Sequence, residues 1–235
     1  MSETTLLHLN GADLLAHATG ALIWPAGGTL IVADLHFEKG SSYARGGSLL
    51  PPYDTRATLD RLESVVTEYQ PQRIVCLGDS FHDGGGADRL SAEETRRLNA
   101  LTGAYDWIWI AGNHDPAPAS TLGGRIVPDC LPLGPLILRH RAAADTASGE
   151  VSGHYHPKAS FVMRARRLTG RCFLADNRRI ILPAFGAYAG GLDAGDPVFA
   201  SLFPAGCAIH FIGRTRIATL SQAAINAEAS PEHYR

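Results

Sequence analysis

Five short apolar runs, each closing on a polar or Gly-containing turn, constrain the fold of this chain more than any other feature. They occupy residues 29–34, 73–79, 107–113, 136–140 and 151–154. Runs of this length bounded by turn residues read as buried strands followed by loops. Helical patterns lie between the first three. Over 55–69, Leu59, Leu62, Val65, Val66 and Tyr69 fall on one stripe, with Asp54 as the expected N-cap. A second helix is expected to start at Ser91, where Ser91-x-x-Glu94 fits a capping box and Leu98 and Leu101 continue the stripe. Strand, helix, strand, helix, strand predicts βαβ crossovers and an α/β fold.

After residue 120 the helical signal fades. Strands are expected at 161–168, 171–174, 180–185 and 208–212, forming a second sheet packed on the first with helices outside. Residues 186–206, rich in Gly, Pro and small residues, read as a long ordered loop, and the Ala-rich tail 221–235 as a short helix fraying before Pro231. A length of 235 residues with 45% hydrophobic and 19% charged residues suits one domain, 1–235, able to bury a large core. No run approaches the length of a membrane span, and the first residues lack the basic and apolar regions of a signal peptide. A cytoplasmic protein with no membrane partner is the expectation. Four scattered cysteines without a C-x-x-C pair predict reduced, mostly buried thiols.

The net charge of -2 conceals a division. Residues 1–117 carry 8 Lys and Arg against 15 Asp and Glu, and residues 118–235 carry 13 against 8. The sharpest part is 158–179, where Lys158, Arg164, Arg166, Arg167, Arg171, Arg178 and Arg179 meet one acid, Asp176. Such a cluster could face a phosphate backbone, or could be the solvated side of half-buried strands.

All five runs end on metal-capable side chains: Asp34-Leu35-His36, Gly78-Asp79, Gly112-Asn113-His114-Asp115, His140, and Gly153-His154-Tyr155-His156. Singly, each is common by chance, and Asn113-His114-Asp115-Pro116 could be a plain turn. Jointly, they sit where loops leaving the ends of sheet strands converge. Carboxylate, imidazole and amide donors without thiolates suit Mn, Fe, Ni or Zn in a working site, and argue against a structural zinc site.

These blocks resemble the calcineurin-like metallophosphoesterases, whose motifs run D-x-H, G-D, G-N-H-D/E, a later His, and G-H-x-H. The resemblance covers roughly residues 30–156. It implies a four-layer αββα sandwich of two mixed β-sheets flanked by helices, holding two divalent metal ions. The implied ligands are Asp34, His36, Asp79 and His156 for the first metal, and Asp79, Asn113, His140 and His154 for the second, with Asp79 bridging. It further implies in-line attack on phosphorus by a metal-bridging hydroxide, with His114 assisting as catalyst and Asp115 orienting it. Two departures stand out. His82 occupies a position where family members often carry an acid, and His140 lies between Arg139 and Arg141 where the pattern is often Gly-His. His82 therefore either contacts substrate or caps the loop, and Arg139 and Arg141 are candidate phosphate contacts of the substrate.

A narrower resemblance spans 32–40, the Gly153-His154-Tyr155-His156-Pro157 block and 182–191. These are similar to the bacterial ligase-associated DNA damage response endonucleases. That similarity implies a manganese-dependent phosphodiesterase cutting DNA, linked to DNA repair and to a DNA ligase or helicase system, with a homodimer as one arrangement. The alternatives are a small-molecule phosphomonoesterase or cyclic-nucleotide phosphodiesterase and, more remotely, a non-catalytic binding scaffold. Glu38 and Lys39 either position substrate or pair with each other, and Tyr188 either lines the cleft or packs.

Overall fold

The computed structural model describes residues 3–48, 50–51, 53–116, 120–145, 148–163 and 166–221. The chain opens with an antiparallel meander that the sequence reading did not anticipate: β1 (Thr4–Leu9), β2 (Ala12–His17), β3 (Leu22–Trp24) and β4 (Thr29–Val32). Its signal is the Asn10-Gly11 dipeptide, both residues at positive φ (48° and 83°), which joins β1 to β2 as a tight hairpin. Then follow α1 (Lys39–Arg45), α2 (Asp54–Tyr69), β5 (Arg73–Leu77), α3 (Ala92–Ala104), β6 (Asp106–Ile110) and β7 (Arg125–Val127). Strands β1 to β7 lie side by side in chain order, and β4 to β7 are parallel. Parallel strands covered on both faces need apolar side chains on both, which is why β4 reads Thr-Leu-Ile-Val and is buried throughout.

The second sheet comprises β8 (Cys130–Leu133), β9 (Leu136–Arg139), β10 (Glu150–Ser152), β11 (Lys158–Met163), β12 (Arg166–Ala175) and β13 (Arg179–Ile181). After α4 (Pro197–Leu202) come β14 (Ala208–Ile212) and β15 (Ile217–Ser221). Its order is β15-β14-β12-β13-β10-β9-β8, with β11 paired to β12, and β10 is parallel to both β9 and β13. Both sheets are thus mixed, as expected.

Three apolar layers hold them. Leu14, Ile31, Val75 and Ile108 of the first sheet meet Leu138, Val151, Phe173 and Ile180 of the second. Leu59, Leu62, Val65 and Val66 of α2 and Leu98 of α3 cover the outer face of the first sheet with Leu30, Ile74 and Trp107. On the outer face of the second, Phe199 and Leu202 of α4 pack with Cys172, Leu174 and Ile209. This fourth layer is thin, one short helix with Asp196 accepting from Val198 N at 2.9 Å as its cap.

The structure revises several local expectations. Asp54 is the first residue of α2 and not its cap; its carboxylate accepts from Gly40 N at 2.9 Å and so ties α2 to α1. The capping box is present: Ser91 Oγ accepts from Glu94 N at 3.3 Å and Glu94 Oε2 from Ser91 N at 3.0 Å. The single strand expected at 161–168 is two, β11 and β12, paired antiparallel with Met163 opposite Arg166; no Gly, Pro, Asn or Asp between them marks the break. The loop expected at 186–206 contains α4, and most of the tail expected as a helix lies outside the described residues. No helix among the described residues is long and apolar enough to cross a membrane.

Candidate metal centre

The parallel strands of both sheets end at one place. Asp34 follows β4, Asp79 follows β5 and Asn113 follows β6; His140 follows β9, and His154 and His156 follow β10. The loops after β4 and β5 remain paired past the strands, with His36 N donating to Asp79 O (3.0 Å) and Phe37 N to Ser80 O (2.8 Å). Gly153 N donates to His140 O at 2.9 Å and joins the loops of the other sheet.

Two groups of donors result. Asp34, His36 and His156 offer ligand atoms within 4.8 Å of one another, and so do Asp79, His140 and His154. In the first, His156 Nε2 lies 3.3 Å from Asp34 Oδ1 and 3.2 Å from His36 Nε2. In the second, His140 Nε2 lies 2.9 Å from Asn113 Oδ1, 3.1 Å from His154 Nδ1 and 3.5 Å from Asp79 Oδ2. His140 Nδ1 stands 2.8 Å from the carbonyl of Leu77 and must donate to it. With that proton on Nδ1, a neutral His140 would turn only a lone pair at Nε2 towards two oxygens that also accept. Buried Asp34 Oδ1 makes no well-formed hydrogen bond among the described residues, its near neighbour being His156 Nε2. Converging acceptors without protons between them fit divalent cations, and the oxygen and imidazole donor set suits them.

The backbone is bent to make this possible. Asp34, His36, Asp79, His154 and His156 all have positive φ, between 45° and 73°, a region that only Gly visits freely. The motif glycines have a steric reason. A Cβ on Gly112 would collide with the backbone N and carboxylate of Asp79, and one on Gly153 would sit 2.6 Å from Ala33 Cβ. Each carboxylate also accepts a backbone N–H: Asp34 Oδ2 from His154 N and Asp79 Oδ1 from His114 N, both at 2.8 Å.

Burial and charge set the electrostatics. Burial pushes the Asp34 carboxyl up, but His156, His140 and His36 outweigh it and the net direction is down. Burial lowers His36 to about 3 and also lowers His154, keeping both neutral as ligands must be.

His114 is exposed beside Asp79, its Nε2 3.9 Å from Asp79 Oδ2. Its Nδ1 donates to the carbonyl of His82 at 2.9 Å, and the two rings stack at 5.2 Å. Asp115, expected to orient His114, is instead buried and accepts from Phe81 N at 3.0 Å; burial raises its carboxyl to about 7. Arg139 faces the buried Glu150 at 3.6 Å, whereas Arg141 is exposed next to His140. Glu38 accepts from Thr55 Oγ1 at 2.9 Å, Lys39 sits over the Tyr43 ring, and Tyr188 Oη donates to Pro51 O at 3.1 Å.

The basic segment 158–179 does not form one face. Arg179 is buried beside Glu150, Arg171 points inward, and Arg166, Arg167 and Arg178 are exposed; Arg164 lies outside the described residues. Arg61 escaped the sequence reading because its neighbours Asp60 and Glu63 make it look like part of a solvated helix face.

Residues 29–171 match the calcineurin-like phosphoesterase family. The nuclease MPE of Pseudomonas putida is similar in structure, with a TM-score of 0.71 at 28% identity over 92% of this chain and 100% of that one. Yfce, a phosphoesterase from E. coli, aligns with a TM-score of 0.42 at 18% identity over 84% of this chain and 99% of that one. No curated protein matches the sequence. With the matched stretch running through the strands, turns and paired donor groups described above, the chain belongs to the calcineurin-like phosphoesterases, and is a metal-dependent phosphoesterase with two candidate metal sites.

Proposed function

We propose that this protein is a dinuclear phosphodiesterase that cleaves nucleic acid. The observation that carries the reading is the pair of neighbouring donor groups, with His140 Nδ1 3.8 Å from Asp34 Oδ1 and exposed His114 beside Asp79. The first metal would be held by Asp34, His36, Asp79 and His156, and the second by Asp79, Asn113, His140 and His154. Two divalent ions, when bound, polarise phosphoryl oxygens and lower the pKa of water.

The chain's own residues supply the rest. His114 Nδ1 donates to His82 O, so Nε2, beside the donor groups and facing solvent, is the nitrogen that can take up a proton. From there it can pass to the leaving oxygen as the phosphodiester opens. His82 and Arg141 are the substrate contacts we favour. Arg139 and Asp115 support the loops, through Glu150 and through Phe81 N respectively.

Nucleic acid as substrate rests on similarity to a nuclease at 28% identity over nearly the whole chain. The DNA-repair link, manganese and a cytoplasmic setting rest on the resemblance of 32–40, 153–157 and 182–191 to the ligase-associated endonucleases. The test is purified protein with Mn(II), Fe(II), Ni(II) or Zn(II) on supercoiled plasmid, an aryl diester and an aryl monoester. Plasmid nicking together with diester cleavage is expected. Inactivity on every diester would sink the reading, and much faster monoester turnover would replace it with a phosphomonoesterase.

A further inference from the structure

A cavity of about 900 Å³ opens between the middle of α2, the turn from β2 to β3, the β11–β12 hairpin and the segment that follows β14. Its walls carry Arg61, Lys158, Arg171 and Arg214, while Glu3 is the one acid among its described lining residues. Two of these cations are built in. The Arg61 guanidinium donates to Phe185 O and lies against the Phe185 ring, and Arg171 Nη1 donates to Ala184 O at 2.8 Å. Neither forms a salt bridge among the described residues. Burial lowers both, Arg171 to about 10 with Arg61 adding to the effect. Two half-buried guanidiniums lining one open cavity, neither paired with a carboxylate among the described residues, are costly unless an anion completes them. Guanidinium groups suit phosphate because their N–H groups pair with its oxygens.

The cavity shares a wall with the metal centre. Ala184 and Phe185 present their carbonyls to the arginines, while Phe185 N and Gly186 N donate to Ala33 O and Asp34 O. Lys158 stands two residues beyond His156. We infer that Arg61, Arg171 and Lys158 form a subsite for a backbone phosphate of the nucleic-acid strand flanking the bond to be cut. This rests on the phosphodiesterase reading and narrows its substrate to a polynucleotide, since a small diester has no second phosphate to reach the subsite.

Two measurements on the full chain decide it. The first is kcat/KM of the Mn(II)-loaded protein on a dinucleotide and on a long single strand. Wild type should favour the long strand, and Arg61→Gln or Arg171→Gln should cut that preference about tenfold, the effect of losing one charge-assisted hydrogen bond. Lys158→Gln, at a half-exposed position, should cut it less and serves if an arginine variant fails to melt cooperatively. The second is anisotropy of a fluorescent strand with metal-free protein across a salt series. Each substitution should weaken binding and reduce the salt slope by about one. Length preference and salt slope both retained in a folded variant would overturn the subsite. Loss of strand binding in the variants, from a wild type that cleaves no diester, would keep the subsite and sink the phosphodiesterase reading. Cleavage of an aryl diester without any gain from strand length would do the reverse.

Discussion

The two sheets contribute unlike things to one centre. The first sheet supplies the oxygen donors Asp34, Asp79 and Asn113 together with His36; the second supplies imidazoles alone, His140, His154 and His156. The difference goes beyond atom type. Each carboxylate has one oxygen bound to a backbone N–H, and for Asp34 that N–H belongs to His154 across the sheet-sheet junction. The carboxylates therefore fasten the loops that carry the other ligands, whereas His154 and His156 are half-buried donors whose rings clamp no neighbouring backbone. Removing a carboxylate should disturb charge, ligation and loop geometry together, and removing the imidazole of His154 or His156 should disturb mainly ligation; His140 is the exception, its Nδ1 donating to Leu77 O at 2.8 Å.

The largest expected effect comes from Asp79→Asn. It keeps an acceptor for His114 N but removes the charge that the proposed centre would share between both metals. If each metal loses about 10–100-fold in affinity, turnover should fall about 1000-fold. Metal analysis after dialysis checks it, and loss of only one metal would break the role of Asp79 as the bridge. His114→Ala should come next, with both metals retained and kcat down about 100-fold or more, as befits a proton donor that is no ligand. Near-normal diesterase activity would remove His114 from the mechanism.

The comparison itself is tested by melting the metal-free protein. Asp34→Ala leaves His154 N unpaired and gives up a carboxylate that the fold holds in its charged form. It should cost about 1–3 kcal/mol, or several degrees in Tm at about 2–4 °C per kcal/mol. His156→Ala should move Tm by less. Equal shifts would show that carboxylates and imidazoles do not differ in this way.

The smallest effect concerns His210 on β14, a buried imidazole of the second sheet remote from the ligands, hydrogen-bonded to Thr219 Oγ1 at 3.0 Å. Burial lowers it below the ordinary imidazole value. The unfolded chain then takes up the proton first, so this contribution to stability is complete above about pH 6.5 and declines as pH falls through that value. Melts from neutral to mildly acidic pH should show less decline in His210→Gln.

The donors were legible in the sequence and the geometry between them was not. Asp34, His36, Asp79 and the paired histidines announce themselves because each follows an apolar run, and runs ending together is a property of parallel strands. The capping box at Ser91 was legible for the same local reason. The left-handed backbone at five of these donors was not legible, because Asp and His are enriched at positive φ but adopt it only rarely, so their presence does not mark it. Nor did the partner of His114: Asp115 is adjacent in sequence, but the carbonyl of His82 reaches the ring through the fold. The β11–β12 hairpin was missed because no Gly, Pro, Asn or Asp marks the break between its strands, and the β1–β2 hairpin although Asn10-Gly11 signals it.

The five left-handed ligand positions have a consequence for how the centre comes into being. A non-Gly residue held there costs about 1–2 kcal/mol, so a short peptide carrying Asp34-Leu35-His36 or His154-Tyr155-His156 would rarely sample the shape that aims its donors inward. Only the completed junction of both sheets, with Gly112 and Gly153 letting the loops touch, makes that shape the preferred one. Ions then enter a socket already formed instead of gathering an open chain around themselves. Refolding should run at the same rate with or without Mn(II), and the metal should reveal itself afterwards, in slower unfolding.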